Sequence, residues 1–187
     1  MATRVVLATR NAGKVHELRQ ILAEHAADLD LEIVSVADLD GVPEVAETAV
    51  TFEGNSWLKA EAVASATGLP ALADDSGLCV DVLGGSPGIF SARWAGTDLD
   101  GTERDRANVR LLLAQLGDVP DEHRAARFRC AAVLALPDGR SAVAEGHVTG
   151  TVVREPAEDV AHEPRGALLV GAVTIERSLE QVTAARL

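Results

Sequence analysis

The chain has no tyrosine, three phenylalanines and two tryptophans in 187 residues, and its only lysines are Lys14 and Lys59. Cysteine is equally scarce. Cys79 and Cys130 lie far apart in apolar surroundings, so they read as buried thiols of a reducing compartment, and neither a disulfide framework nor a zinc site is expected. No apolar run approaches the roughly 20 residues that a membrane helix needs, which predicts a soluble chain. Met1–Arg4 leads straight into Val5-Val6-Leu7-Ala8, without the longer apolar segment and cleavage site of a signal peptide, and so points to the cytoplasm. Basic charge is short as well: 17 Lys and Arg stand against 29 Asp and Glu, a net charge of −12. A nucleic-acid polymer, which demands a basic face, is therefore not the expected partner. A single nucleotide is compatible, because local charges within a Debye length of about 8 Å outweigh a dispersed net charge.

What is present reads as mixed α/β in one domain without repeats. Arg4–Thr9 is strand-like, and the spacing of Val15, Leu18, Ile21, Leu22 and Ala26 predicts a helix after a tight loop. Leu31–Val36 returns to strand character, and Val45–Thr51 reads as a further strand-like segment. A helix over about 53–67 is closed by Gly68 and Pro70. Leu78–Leu83 is strand-like, and Gly84-Gly85-Ser86-Pro87-Gly88 is a turn. Thr102 is placed to cap a third helix that turns Val109, Leu112, Leu113 and Leu116 inward. Arg127–Leu136 and Ser141–Glu145 form a hairpin, continued by Val148–Val153.

Three places carry candidate chemistry. The loop Thr9-Arg10-Asn11-Ala12-Gly13-Lys14 sits where a strand hands over to a helix, so backbone N–H groups and the positive end of the helix dipole attract phosphate together. Lys14 adds a full charge, and Thr9 and Asn11 offer side-chain donors. It is not a Walker A sequence, since Val15 stands where Ser or Thr would hold magnesium; alone it reads more readily as a plain strand-to-helix turn. In Ala73-Asp74-Asp75-Ser76-Gly77 two carboxylates adjoin, and strand alternation needs only one to face a given site; a polar Asp-Ser-Gly turn is the competing reading. Glu47 supplies a third carboxylate. Magnesium takes one or two protein carboxylates and completes its shell with water and phosphate, so Glu47 and Asp75 suffice, and Asp75 doubles as the base for water. The third place is the helix start around Lys59, which is either a second phosphate contact or a solvated lysine with Trp57 in the core. Arg124, Arg127 and Arg129 read as alternating along a strand into solvent, with no catalytic role.

Taken in order, Leu7-Ala8-Thr9-Arg10-Asn11-Ala12-Gly13-Lys14, Glu47-Thr48 to Lys59, Ala73-Asp74-Asp75-Ser76-Gly77-Leu78 and Leu83-Gly84-Gly85-Ser86-Pro87-Gly88-Ile89-Phe90-Ser91-Ala92-Arg93-Trp94 resemble the inosine triphosphate pyrophosphatase family. The likeness continues through Arg154-Glu155-Pro156. It implies an elongated, twisted mixed sheet flanked by helices, a single domain over residues 1–187, a homodimer and Mg2+. The implied activity is cleavage of non-standard purine nucleotides (ITP, dITP, XTP) to the monophosphate and pyrophosphate. By motif position, Thr9, Arg10, Asn11, Ala12, Gly13 and Lys14 hold the triphosphate, with Lys59 in a family-like position for the same task. Glu47 and Asp75 hold the metal, Asp75 is the general base, and Ser76 binds substrate.

After Pro156 the pattern departs. The family's Phe-Gly-Tyr-Asp-Pro, lysine and Ser-His-Arg motifs, which enclose the base, are not found: there is no tyrosine, the last phenylalanine is Phe128 and the last lysine is Lys59. His162 and Arg165 echo the missing motif loosely, around a surface turn at Pro164. Residues 157–187 thus read as a divergent or shortened tail, and an inactive or impaired nucleotide-binding subunit stands as the alternative to an enzyme.

Overall fold

A computed structural model of the chain describes residues 2–26, 28–155 and 173–175, and the expectations for the rest of the tail fall outside these residues. Its strands form one mixed six-stranded sheet in the order β2-β1-β3-β4-β5-β6. They are β1 (Thr3–Leu7), β2 (Leu31–Ser35), β3 (Ala71–Val80), β4 (Ala125–Ala135), β5 (Ser141–Val152) and β6 (Val173–Ile175). The helices are α1 (Ala12–His25), α2 (Phe52–Thr67) and α3 (Gly101–Gln115), and short 3₁₀ turns link several elements. The described residues fall into two compact units.

The first unit runs to Asp75 and adds Ala131–Glu145. Here β1 pairs in parallel with β2, Val5 opposite Ile33, and with β3, Val6 opposite Ala71. Parallel neighbours need a crossover, which α1 supplies between β1 and β2 and α2 supplies on the way to β3. The face of α2 turned inward carries Phe52, Asn55, Ser56, Ala60, Val63 and Ala64, at the three- and four-residue spacing of a helical stripe. Its apolar part meets Val6, Ala71, Ala73 and Val133. The hydroxyl of the buried Ser56 donates to the Ala131 carbonyl at 2.8 Å and docks the helix on β4. Thr51 caps α2 at its start, and Gly68 closes it in the left-handed region at φ 67°, which costs glycine little.

The second unit comprises Ser76–Cys130 and the segment from Gly146. Leu78, Val80, Leu112, Leu116, Ala126 and Val152 form its core. The buried Asn108 amide accepts from the Ala95 N–H at 2.7 Å and donates to the carbonyls of Ser91 and Ala92, pinning the preceding 3₁₀ turn to α3. β6 pairs antiparallel with β5, Val152 opposite Val173.

Several local expectations are corrected. Val45–Thr51 is not a strand: two of its N–H groups are used locally, Thr48 by the Ala46 carbonyl and Ala49 by the Asn55 side chain. The Asp-Ser-Gly turn is absent, because β3 runs unbroken through Asp74–Gly77. Thr102 lies inside the first turn of α3, whose cap position is Asp100. Arg124 does not alternate into solvent. It precedes β4, is 1% exposed, and donates from three guanidinium nitrogens to the carbonyls of Val152, Leu116 and Val153. Arg127 does reach the surface, where it grips both oxygens of Asp81, and Arg129 is exposed. Cys79 is buried and Cys130 half-buried, and the two are not joined in a disulfide.

Candidate active site

The strand β1 delivers the chain to Ala8, whose N–H donates to the Leu72 carbonyl, and the loop then turns into α1. Asn11 is the cap of that helix. Its Oδ1 accepts from the N–H groups of Gly13 and Lys14 at 2.9 and 3.2 Å, while its own N–H donates to Thr9 Oγ1 at 3.2 Å. The sequence reading pictured these amides as free and Asn11 as a donor. Their geometry is instead that of an asparagine satisfying the orphan donors of a helix start. Arg10 turns to the Val42 carbonyl at 2.9 Å, tethering the segment that leads to Glu47. Ala12 and Gly13 open the helix.

Both lysines of the chain converge on Asp74. Lys14 Nζ lies 2.6 Å from Asp74 Oδ2, in a pair whose side chains are 23% and 11% exposed. Lys59 Nζ donates to the main-chain carbonyl of Asp74 at 2.7 Å and to Glu47 Oε1 at the same distance. Lys59 is thus no solvated helix lysine, and Trp57 is not in the core: the residue is 40% exposed. Asp74 Oδ1 is buried and finds no hydrogen-bond partner among the described residues.

Strand alternation sends the two aspartates different ways. Asp74 turns to Lys14 of α1, and Asp75 turns to Asn55 of α2, whose Nδ2 donates to Asp75 Oδ2 at 3.0 Å. Burial pushes the Asp75 carboxyl above the ordinary aspartate value of 3.8. The Asn55 hydrogen bond and the charges of Lys59 and Lys14 oppose this rise, and the negative charge of Glu47 adds to it. Asp75 therefore lies within the fields of Glu47, Lys59 and Lys14 together. Ser76 follows on β3 and is exposed.

This donor set suits a hard divalent cation. The charge of Glu47 adds to the cost of ionising Asp75, and a cation in reach of both carboxylates would relieve it. No group of three or more His, Cys, Asp and Glu side chains able to hold a metal occurs among the described residues. Magnesium asks for fewer protein ligands than that when phosphate oxygens complete its shell.

Two members of the constellation were missed in the sequence. Asn55 stands four residues before Lys59 and therefore on the same helical face, which was the available signal. Asp74 carries no role in the sequence reading, because strand alternation needs only one aspartate to face the site. A chain with so few lysines, each near a carboxylate-rich segment, already hinted that the cations would be paired.

Comparison with known proteins gives a consistent picture. Residues 5–163 match the Ham1 family. The chain is 59% identical over 155 residues to a dITP/XTP pyrophosphatase of Streptomyces coelicolor, covering 83% of this chain and 74% of that protein. Against the dITP/XTP pyrophosphatase of Bifidobacterium animalis subsp. lactis the identity is 48%, over 81% of this chain and 73% of the relative. Among solved structures, the nucleoside-triphosphatase, or dITP/XTP pyrophosphatase, of Mycobacterium abscessus superposes with a TM-score of 0.73 at 38% identity, over 96% of this chain and 87% of that one. The Ham1 protein of Staphylococcus aureus gives a TM-score of 0.70 at 35% identity, over 83% of this chain and 74% of that one.

Proposed function

The chain belongs to the Ham1 family, and from that premise we propose that it hydrolyses non-standard purine nucleoside triphosphates such as ITP, dITP and XTP to the monophosphate and pyrophosphate. The observation that carries this reading is the linked constellation of Lys14, Lys59, Glu47, Asp74 and Asp75, two cations and three carboxylates on β3, α1, α2 and the segment before α2.

In this reading the loop Thr9, Arg10, Asn11, Ala12, Gly13 and Lys14 receives the triphosphate, helped by Lys59, and Ser76 adds a substrate contact. The lysines can exchange a carboxylate partner for phosphate oxygens, since both are charged donors on flexible stems at part-exposed positions. Glu47 and Asp75 would hold a divalent cation, Mg2+, which neutralises phosphate charge and acidifies water. Asp75 accepts the proton of the attacking water. The water oxygen bonds to phosphorus, the anhydride bond between the α- and β-phosphates breaks, and pyrophosphate leaves with the electron pair. The carboxyl's raised proton affinity suits a base that must hold a proton during the step. Charge stabilisation and positioning account for most of the catalysis in such sites.

Removal of non-standard nucleotides from the cellular pool follows from the activity, with the chain acting as a homodimer in the cytoplasm. Among the described residues no helix is long and apolar enough to cross a membrane. The test is pyrophosphate release from dITP, XTP, ITP, ATP and TTP, with and without magnesium, beside Asp75→Asn. Magnesium-dependent release from the first three, lost in the variant, is the expected result. No release above the variant would sink the enzyme reading and leave an inactive nucleotide-binding subunit; equal turnover of all five would sink the purine preference.

A further inference from the structure

Asn55 is 1% exposed, and both ends of its amide are committed. Oδ1 accepts from the Ala49 N–H at 3.0 Å, and Nδ2 donates to Asp75 Oδ2 at 3.0 Å. The Ala49 N–H can only donate, which settles which end of the amide is oxygen. Ala49 stands two residues beyond Glu47 on the irregular segment that carries that carboxylate, whereas Asp75 stands on β3. One planar group therefore ties the backbone that carries Glu47 to the side chain of Asp75.

The neighbouring residue shows how closely that segment is drawn in. A Cβ on Gly54 would stand 2.7 Å from Ala49 Cβ and 3.0 Å from Thr51 Oγ1, so the approach of the segment to α2 depends on glycine there. Thr51 then caps the helix through the Gly54 N–H at 3.0 Å, fixing the far end of the same segment. Lys59, one turn beyond Asn55 on α2, holds Glu47 Oε1 itself. The segment is thus held at Ala49, at Glu47 and at Thr51 by one helix, and the Asn55 amide holds the Asp75 carboxylate as well.

We propose that Asn55 is a positioning residue that sets the separation of Glu47 and Asp75, so that the two carboxylates present themselves as a preformed pair to a divalent cation. The proposal rests on the assignment of these two carboxylates as metal ligands made above. Neither leucine nor aspartate can replace the amide: leucine loses both bonds, and aspartate keeps an acceptor for Ala49 but offers Asp75 no donor. Partners that orient a metal's carboxylates typically cost about 10–100-fold in metal affinity or activity when removed.

The test uses the full chain. Mn2+ alone is titrated while its free electron paramagnetic resonance signal is followed, and kcat and KM for dITP are measured in magnesium. Asn55→Leu is expected to weaken Mn2+ binding about 10-fold or more and to lower kcat by about 10–100-fold with KM little changed. Asn55→Asp, which keeps an acceptor for Ala49 but sets a second buried carboxylate against Asp75, is expected to melt below the parent and to lose kcat. Asn55→Leu combined with Asp75→Asn is expected to bind Mn2+ no more weakly than Asp75→Asn alone, because the two act as one unit. Parental Mn2+ binding by Asn55→Leu, parental kcat in Asn55→Asp, or an additive further loss in the double variant would each overturn the proposal. If the parent released no pyrophosphate, the enzyme reading would fail while the Mn2+ titration still judged Asn55. If Glu47→Gln and Asp75→Asn left Mn2+ binding intact, the metal assignment and the proposal would fall together.

Discussion

The two units handle buried charge in opposite ways. In the first, Lys14 and Lys59 each face a carboxylate at 2.6–2.7 Å, and the core beside them is built from small side chains such as Val6, Ala60, Ala64, Ala71 and Ala73. In the second, one cation, Arg124, is enclosed by three main-chain carbonyls, and the core uses Leu78, Leu112 and Leu116, with Trp94 and Phe128 packed against it. A carboxylate beside a flexible lysine can be traded for a ligand's oxygen. Backbone carbonyls around a planar guanidinium cannot, because they are fixed by the fold. On the proposed function, charge in the first unit is available for exchange, whereas charge in the second is part of the architecture. Small side chains suit the former, since they let helix and strand backbones approach closely enough for short polar groups to meet.

The largest expected effect breaks the first unit's chemistry while leaving its fold. Asp75→Asn should lower pyrophosphate release by about 10²–10⁴-fold. Stability should move the other way. Burial raises the Asp75 carboxyl's affinity for its proton in the folded chain, so the ionised form opposes folding at neutral pH, and the neutral amide removes that opposition. In the absence of divalent cations, calorimetry should therefore show the variant melting above the parent at pH 7. The gap should close as pH falls through the raised value and below the ordinary 3.8, where the parent's carboxyl is protonated as well.

Arg124→Met should do the converse in the second unit. It takes the guanidinium donor from the carbonyls of Val152 and Val153, at about 1–3 kcal/mol for each group left unsatisfied, while the Leu116 carbonyl keeps its bond from the Val119 N–H at 3.1 Å. With about 2–4 °C of Tm for each kcal/mol, the melting point should drop by several degrees, with kcat and KM of the folded fraction unchanged.

Lys14→Ala sharpens the idea of exchangeable charge. It removes a charged donor worth about 1.5–3 kcal/mol, so KM for dITP should rise by about 10–100-fold, and the melting point should fall too, because the 11% exposed Asp74 carboxylate is left without its cation. The smallest effect concerns packing. Ala60 is fully buried among small neighbours, and Ala60→Leu should cost about 1–3 kcal/mol by overpacking, read as a lower denaturation midpoint in urea.

Helix α2 was legible in the sequence almost residue for residue, because Gly68 and Pro70 mark its stop and no proline interrupts it beforehand. The hairpin of β4 and β5 was equally plain from its Pro-Asp-Gly turn. The Asp74–Gly77 stretch misled because local propensity favours a turn there, and tertiary pairing of β3 overrides it. Arg124 misled for a related reason. An arginine so near a strand reads as solvent-facing until the carbonyl of Leu116, eight residues earlier, and those of Val152 and Val153, beyond the next strand, are seen to surround it. At the site, ordered motifs named Glu47, Asp75, Lys14 and Lys59 as candidates. The hydrogen bonds that join them through Asn55 and Asp74 span up to 60 residues of chain and had no sequence signature beyond a shared helical face.

Asp74 divides its hold on the two lysines between parts of itself that inheritance treats differently. Its carboxylate, which grips Lys14, is open to any codon change, but its carbonyl, which grips Lys59, is common to every amino acid. Drift at position 74 can thus discard one lysine's anchor at a single step, whereas the other survives as long as β3 keeps its path. A library of all substitutions at this position would accordingly vary the setting of Lys14 against a nearly constant Lys59, making it a natural dial for tuning one cation independently of its neighbour.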